Sequence, residues 1–261
     1  MRKILTGLLL TSCVFFAASF DASAQLGWKL SASAEYETGT YGSGDRTDTW
    51  YLPVTLKRYL PEGEMSFTVP YIRQKSGPEV VNVGGTSVRT RKAAGPVATN
   101  SGLGDIILKG SYYVFKEDYK EGFDLSAVAR IKLPTADEDK GLGTGEFDEG
   151  VGLEFAKQLG ADWSVFIDAY YTLIGDPKGV DLKNRFSFDA GVAARLNATL
   201  TASVFYSQNS ALLEDSTAQR EISAALDYEA AKDIRLFGGA SVGLTGTSQD
   251  YGINGGVSVR F

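Results

Sequence analysis

The chain has 261 residues, a formal net charge of −6, one cysteine and no histidine. An acidic chain lacks the basic face that nucleic-acid binding requires, so we expect no nucleic-acid partner. The absence of histidine removes the usual general base for serine or cysteine nucleophiles and the commonest ligand of transition metals. We therefore expect no enzyme, no metal site and no cofactor.

The N-terminal segment, residues 1–24, has the organisation of a secretory signal peptide. Two basic residues precede an apolar run, and a small-x-small cleavage site ends at Ala24. In an alternative interpretation Cys13 closes a lipoprotein cleavage box, but the residues after it stay apolar instead of turning polar. The sequence predicts one mature domain over residues 25–261, and its lack of cysteine suits an oxidising envelope.

Beyond residue 25 the sequence alternates between apolar and polar residues with period two, which is typical of strands with one apolar face. Turn residues separate the segments. Twelve strands are predicted, at Leu26–Tyr36, Trp50–Leu56, Met65–Tyr71, Ile106–Val114, Phe123–Leu133, Val151–Phe155, Trp163–Leu173, Phe186–Leu196, Leu200–Tyr206, Ile222–Tyr228, Ile234–Leu244 and Tyr251–Phe261.

The connections between these strands alternate in length. Tight turns follow the even-numbered strands and longer loops follow the odd-numbered ones, the longest over residues 75–101. Outer-membrane barrels have short periplasmic turns and longer outer loops. The sequence thus predicts an all-β fold, a closed antiparallel up-and-down transmembrane β-barrel of twelve strands, in the outer membrane of a Gram-negative bacterium.

Charged residues separate by strand face. On the apolar, outward phase they occur only near strand ends, where contact with lipid costs least; these are Arg58, Arg73, Glu149, Lys157 and Arg220. The three tryptophans also lie at strand ends, as in an aromatic girdle. The inward phase carries the residues that we predict to line the lumen: Lys29, Glu35, Lys57, Asp105, Lys109, Asp124, Arg130, Lys132, Glu154, Asp168, Arg185, Asp189, Arg195, Glu221, Asp227, Arg235 and Arg260.

A soluble sandwich or lipocalin-like barrel would place the charges outside and the apolar phase inside. It does not account for the signal peptide, the loop asymmetry and the aromatic C-terminal residue together. Phe261 is the terminal signal that outer-membrane barrels present to their insertion machinery. Pro53 and Pro70 fall inside the second and third strands, where each removes a ladder donor, so a bulge or a distorted wall is expected.

Two loops carry charge clusters with alternative interpretations. The acidic stretch at residues 137–139, with Glu146, Asp148 and Glu149 across the same loop, has ligands suited to Ca²⁺ or Mg²⁺ but matches no EF-hand, which favours a solvated loop. The basic run at residues 88–92 either contacts lipopolysaccharide phosphates or folds inward as a constriction.

Four short motifs carry a family resemblance: Gly102–Ile106, Lys132–Thr135, Leu142–Gly145 and Asn184–Gly191. Together they resemble the outer-membrane barrels grouped as the putative phenol-degradation meta-pathway transporter family. The resemblance covers residues 100 to 200, and departs at Ala136, where a glycine is expected. It implies a transport-associated barrel for aromatic or other poorly soluble compounds, without catalytic residues.

The favoured function is a porin-like channel for passive uptake of small solutes, including aromatic or hydrophobic compounds. Its expected partners are outer-membrane lipid, lipopolysaccharide, the barrel-insertion machinery and a small-molecule solute. An alternative is a closed structural or binding barrel, cross-linked by Asp124 with Arg130 or Lys132 and by Asp189 with Arg185 or Arg195. A third hypothesis, an enzyme, would need a carboxylate pair such as Glu154 and Asp168.

Overall fold

In a computed structural model the chain is described over residues 4–6, 19–21, 27–90, 95–116, 122–177 and 179–261. Two three-residue strands, Ile4–Thr6 and Ser19–Asp21, pair antiparallel ahead of the barrel. Most of the predicted signal peptide lies outside the described residues, so its assignment stays a prediction.

The described residues form a closed barrel of twelve antiparallel strands, as the period-two pattern predicts. The fourth strand is divided into two segments that both pair with the third. The strands are β1 Trp28–Gly39, β2 Thr47–Leu60, β3 Gly63–Ser76, β4 Ala98–Leu103 with Ile106–Lys116, β5 Phe123–Leu133, β6 Asp148–Leu159, β7 Trp163–Leu173, β8 Arg185–Arg195, β9 Leu200–Asn209, β10 Gln219–Ala231, β11 Ile234–Gly243 and β12 Tyr251–Arg260.

The first and last strands close the wall. β12 pairs with β1 from Tyr251 opposite Thr38 to Arg260 opposite Lys29. At the periplasmic edge the backbones of Trp28 and Phe261 exchange two hydrogen bonds, of 2.7 and 2.9 Å. Closure pairs the strand edges, which hydrocarbon cannot satisfy. No helix in the described segments is long and apolar enough to cross a membrane.

The connections have the predicted alternation. Short turns lie at residues 61–62, 160–162, 196–199 and 232–233, whereas the longer connections lie at residues 40–46, 77–97, 134–147, 174–184, 210–218 and 244–250. By the rule for such barrels the long side faces the exterior of the cell and the short side faces the periplasm.

The outer surface of the wall is apolar. Val151, Leu153 and Ile167, near the middle of their strands, are 63%, 52% and 48% exposed. In water this surface would be unfavourable, because each side chain forgoes the free energy gained by burial. The apolar band places the chain in the outer membrane, as the fold class predicts.

Aromatic residues border this band at both ends. Near the periplasmic turns Phe123 lies between Phe115 and Phe155, with ring centroids 5.8 and 5.5 Å apart. Near the outer loops the rings of Tyr36 and Trp50 are 5.1 Å apart. Aromatic rings at these two levels form the girdles that position a barrel between its two interfaces.

Pro53 on β2 and Pro70 on β3, where a bulge or a distorted wall was expected, lie opposite each other. The register between these strands is unbroken, so no bulge separates them. The distortion lies in the flanking strands instead. Pairing of β1 with β2 skips the residues between Ala32 and Glu35, and β4 is interrupted at residues 104–105. Proline has no backbone N–H, so neither Pro53 nor Pro70 can donate a hydrogen bond to the flanking strand, β1 or β4.

The prediction of one continuous loop over residues 75–101 is wrong. β3 runs on to Ser76, a hairpin forms from Val80–Val83 and Thr86–Arg89, and the upper part of β4 begins at Ala98. The residues of this upper part are mostly polar, so they lack the apolar alternation of a lipid-facing strand. They are ordered by pairing with β3, from Ser76 opposite Ala98 to Tyr71 opposite Leu103.

Candidate functional site

The candidate functional site is the barrel lumen. Every residue of the predicted lumen set is shielded, in contrast with the exposed apolar phase. Buried are Glu35, Lys57, Asp105, Lys109, Lys132, Glu154, Asp168, Arg185, Asp189 and Asp227, while Lys29, Asp124, Arg130, Arg195, Glu221, Arg235 and Arg260 are partly buried.

Lys132 is the centre of the tightest ion cluster. Its side chain is 1% exposed, and its ammonium nitrogen lies 3.1 Å from a carboxylate oxygen of Asp105 and 3.1 Å from one of Asp148. It also donates a hydrogen bond of 2.7 Å to the Thr144 hydroxyl. The partners of Lys132 come from a neighbouring strand and from a loop, and not from Asp124 on its own strand. This ion cluster ties β4, β5 and β6 together on the lumen side.

Three of the four family-like motifs, Gly102–Ile106, Lys132–Thr135 and Leu142–Gly145, meet at this cluster. The Gly104 backbone N–H donates to the carbonyl of Pro70 at 2.9 Å, and the Thr135 hydroxyl donates to the Gly104 carbonyl at 3.0 Å. The Ala136 N–H donates to Asp105 at 3.0 Å. A Cβ on Gly143 would lie 2.6 Å from that of Ala136, so only glycine fits there. The motifs thus fold the outer rim of β4 and β5.

A second ion cluster lies deeper in the lumen. The Lys109 ammonium of β4 is 2.5 Å from Glu154 of β6, which also accepts a hydrogen bond from the Tyr170 hydroxyl. Glu154 and Asp168 lie directly opposite each other in the register. This is the carboxylate pair of the enzyme hypothesis, and its first member is engaged by an ammonium and a phenol.

Carboxylates continue along the wall from Glu154. The register sets Glu154 opposite Asp168, Asp168 opposite Asp189, Asp189 opposite Ser207, and Ser207 opposite Glu221. Asp168 and Asp189 make no ion pair within the described residues. The predicted pairs of Asp189 with Arg185 or Arg195 are therefore wrong. The result is an acidic row across five neighbouring strands.

The periplasmic end of the lumen is basic. Lys29 lies opposite both Lys57 and Arg260 in the register, so three cations lie side by side on adjacent strands. Lys57 is neutralised by Glu64 at 2.5 Å, and the Arg260 guanidinium lies 4.6 Å from the centre of the Tyr59 ring. The inner surface is therefore layered, with cations below the acidic row.

An apolar cluster inside the lumen was missed by the sequence analysis, which considered only inward charges. It comprises Val128, Phe166, Tyr170, Ala193 and Phe205, and the rings of Phe166 and Phe205 have centroids 5.8 Å apart. A Cβ on the glycine at position 191 would lie 2.1 Å from the Phe205 ring, so glycine lets the ring lie flat on the wall. The sequence carried a signal for this cluster, because the inward-facing Phe205 lies opposite the inward-facing Gly191 on the neighbouring strand.

The hairpin at residues 80–89, hereafter the lumen hairpin, folds into the barrel. Ser87 and Thr49 of β2 have hydroxyl oxygens 2.9 Å apart, and the Gln219 side chain of β10 donates to the Ser87 carbonyl at 3.1 Å. At its turn, Arg130 of β5 donates to the carbonyl of Gly84 at 3.1 Å. Three strands of the wall, β2, β5 and β10, thus bind one hairpin.

Apolar packing also holds the lumen hairpin. Val83 and Val88 are buried against Ile174, Leu182 and Leu212 from two outer loops. Of the two interpretations of the basic run, the structure therefore shows the inward fold as far as Thr90, which is also buried. Residues 91 and 92 lie outside the described residues.

The acidic loop does not gather its carboxylates. Asp137 pairs with Lys140 at 2.7 Å, while Asp148 faces inward to Lys132. The hydrogen bond from Lys140 lowers the pKa of the exposed Asp137 carboxyl. Among the described residues no group of three or more potential ligands is arranged to hold a metal ion.

Comparison with solved structures shows the same fold in outer-membrane channels and porins. The COG4313 outer membrane channel from Pseudomonas putida F1 has a TM-score of 0.66 and 14% identity, covering 92% of this chain and 97% of that chain. The NanC porin has a TM-score of 0.59 and 12% identity, covering 89% and 100%. The KdgM porin has a TM-score of 0.53 and 10% identity, covering 89% and 99%.

Comparison by sequence yields no match among curated proteins. Residues 64–261 match the family described as "Putative MetA-pathway of phenol degradation". This match contains the four motifs that carry the resemblance and ten of the twelve barrel strands, β3 to β12, in whole or nearly so. The chain belongs to the family of outer-membrane barrels known as the putative MetA-pathway of phenol degradation.

Proposed function

We propose that the chain is a passive outer-membrane channel for small solutes, with the lumen hairpin as its constriction. The observation that carries the proposal is the presence of buried acidic side chains without ion-pair partners in the lumen wall. Asp168 and Asp189 are 3% and 6% exposed and make no ion pair within the described residues. Burying a carboxyl group in a dry interior costs free energy, most of all when the group is ionised.

A barrel that served only as a structural plug would be more stable with apolar residues at these positions. Acidic side chains along the lumen fit a wall that water and solutes contact when the lumen hairpin moves. The cluster around Phe166 and Phe205 adds an apolar surface beside the acidic row, which suits aromatic or other poorly soluble compounds. Family membership and the porin-like fold support the same function, and the proposal assigns no catalysis to the barrel.

Single-channel recording of the purified barrel in planar bilayers tests the proposal. The sharpest variant replaces residues 79–90 with a short glycine-serine linker, because this removes the lumen hairpin and keeps the wall. We expect wild-type protein to conduct and the variant to conduct severalfold more. Solute flux into vesicles, followed for small charged and aromatic compounds, should rise in parallel. If neither the wild type nor the hairpin variant shows conductance or solute flux, the channel proposal is wrong.

The alternative, a closed barrel, is favoured by one observation, namely that the hairpin is bound to β2 through Thr49 and to β10 through Gln219. It predicts that the hairpin variant loses stability without gaining conductance. A fall in the unfolding temperature with unchanged, negligible conductance would therefore support the closed barrel.

A further inference from the structure

The outer face of β3 carries two basic residues just beyond the apolar band, on the side of the long loops. Along this strand Ile72 and Gln74 point inward and are 0% and 2% exposed. Arg73 and Lys75, which alternate with them, are exposed on the opposite face. They continue the outward row that includes Tyr71, at steps of about 7 Å. No part of the channel proposal uses this surface.

The neighbouring strands show at which level of the membrane these cations lie. Arg73 lies between Trp50 of β2 and Ser101 in the upper part of β4, each directly opposite it in the register. Trp50 is 44% exposed and contacts the Tyr36 ring, so it belongs to the aromatic girdle below the outer loops. Arg73 is therefore at the boundary between the hydrocarbon and the headgroups of the outer leaflet, and Lys75 lies one step farther out.

Neither cation is neutralised by the protein. Within the described residues Arg73 and Lys75 form no ion pair. Asp48 of β2 lies opposite Lys75, but its carboxylate accepts hydrogen bonds from the Thr38 hydroxyl at 2.7 Å and from the Tyr36 hydroxyl at 3.1 Å. Two exposed cations beside one engaged carboxylate leave a net positive charge on this surface.

We propose that this surface binds a phosphate group of lipid A, the anionic lipid that anchors lipopolysaccharide in the outer leaflet. The Arg73 guanidinium has a planar fork of donors that matches a phosphate, and the Lys75 ammonium adds a point charge. Ser101 lies opposite Arg73 and Thr99 lies opposite Lys75, so their hydroxyls supply further donors on the same face. Clusters of basic residues beside a membrane are typical of sites for anionic lipid headgroups.

The position of the surface favours a lipid over a soluble anion. One step below Arg73, Tyr71 and Leu103 lie opposite each other and are 44% and 56% exposed on the outer face. A phosphate held by Arg73 therefore places its acyl chains against the apolar wall, which a free anion would not use. The basic run weighed above as a lipopolysaccharide contact folds into the lumen as far as Thr90, so that part of it does not supply this contact.

Native mass spectrometry of the purified barrel in detergent measures the affinity for lipid A that carries both phosphates. A chelator is present, so that divalent ions do not bridge the lipid to carboxylates. We expect the double variant Arg73→Gln, Lys75→Gln to bind about twentyfold more weakly, because each basic residue beside an anionic lipid surface contributes roughly fivefold. Arg73→Lys keeps the charge and should lose less affinity than Arg73→Gln.

The matched control is Arg58→Gln. Arg58 is on the outer face of β2 at the periplasmic end, over the Trp28 ring at 5.0 Å, and faces the other leaflet. Its charge is too distant to act on the proposed surface through solution, so this variant should bind lipid A within about twofold of wild type. The heat-dependent gel mobility of each variant reports whether the barrel is folded.

Three comparisons can overturn the proposal. Lipid A without phosphates should bind more weakly than lipid A with them, and equal binding would show that the phosphates are not recognised. Inorganic phosphate should not displace the lipid at equal concentration; if it does, the surface is a site for free anions. Phosphatidylglycerol bound as tightly as lipid A, with the same loss in the double variant, would mean that any anionic lipid is accepted. None of these measurements requires the barrel to conduct.

Discussion

The hydroxyl oxygens of Thr49, on β2, and Ser87, on the lumen hairpin, lie 2.9 Å apart in the interior of the barrel. This contact fixes one end of the hairpin to the wall. The one cysteine of the sequence, Cys13, lies in the predicted signal peptide, so a pair of cysteines at these positions creates a single defined cross-link in the mature chain.

The double variant Thr49→Cys, Ser87→Cys should form a disulfide that locks the hairpin in the lumen. If hairpin movement opens the channel, oxidised protein will conduct less than the same protein after reduction, since a disulfide restrains both residues within a few ångströms. Single-channel recording with and without reductant measures the difference. The single variants serve as controls and should not respond to reductant; conductance that is independent of the cross-link would exclude hairpin gating.

Replacing Lys132 with methionine should destabilise the barrel by about 3–5 kcal/mol, because Asp105 and Asp148 then share a buried site without their cation. Urea titration of protein refolded into lipid vesicles gives the free energy of unfolding. Lys140→Met removes the ammonium of an exposed pair with Asp137 and should leave that free energy unchanged. Equal effects of the two variants would mean that the inner cluster contributes no stability.

A lysine in place of Leu153, at the middle of β6, should cost about 2–4 kcal/mol, whereas a lysine in place of Leu159, at the periplasmic end of the same strand, should cost about 0–1 kcal/mol. Both leucines are exposed on the outer face, at 52% and 46%. The same vesicle titration compares them. If both substitutions are tolerated equally, the assigned membrane band is misplaced.

Asp189→Asn removes one acidic group from the acidic row while keeping the shape of the side chain. Fewer negative charges attract fewer cations, so the reversal potential in a KCl gradient should move toward the chloride equilibrium potential. Asp250→Asn makes the same change in net charge at an exposed outer-loop pair with Arg46 and should shift the potential less. A larger shift in the loop variant would show that the row does not face the ion path.

Phe261→Ala should reduce the amount of folded barrel in the outer membrane, because the terminal aromatic residue is the proposed signal for the insertion machinery. Tyr251→Ala, at the opposite end of β12 and also on the exposed outer face, is the matched control. Folded and unfolded protein in membrane fractions are resolved by gel mobility. Spontaneous refolding of the purified variant into detergent should be unaffected; a defect there would indicate a structural role for Phe261 instead.

The barrel could be predicted because lipid imposes one rule on every strand. Outward side chains must be apolar, so the period-two pattern predicts both the number of strands and which side chains face lipid. The remaining positions, such as Lys57 and Asp189, are then predicted to face the lumen. The upper part of β4, Ala98–Leu103, was not predicted, because it extends beyond the apolar band and its residues do not alternate between apolar and polar.

Partners in the lumen could not be predicted from spacing along a strand. Residues two apart on one strand face are separated by about 7 Å, whereas neighbouring strands are about 4.8 Å apart, so cross-strand pairs are closer. This is why Lys132 pairs with Asp105 and Asp148. The position of the lumen hairpin depends on packing against outer loops distant in sequence, for which a single sequence gives no signal.

At the seam of the barrel, Lys29 of β1 lies opposite Arg260 of β12, so the two ends of the chain are paired. The barrel closes only when the first and last strands pair. Almost the whole chain must therefore reach the membrane before the barrel can close. Such distant pairing slows assembly, because the entropy of bringing the ends together is lost before the contacts form. A chain that stopped before Tyr251 would expose two unpaired edges, which invite aggregation.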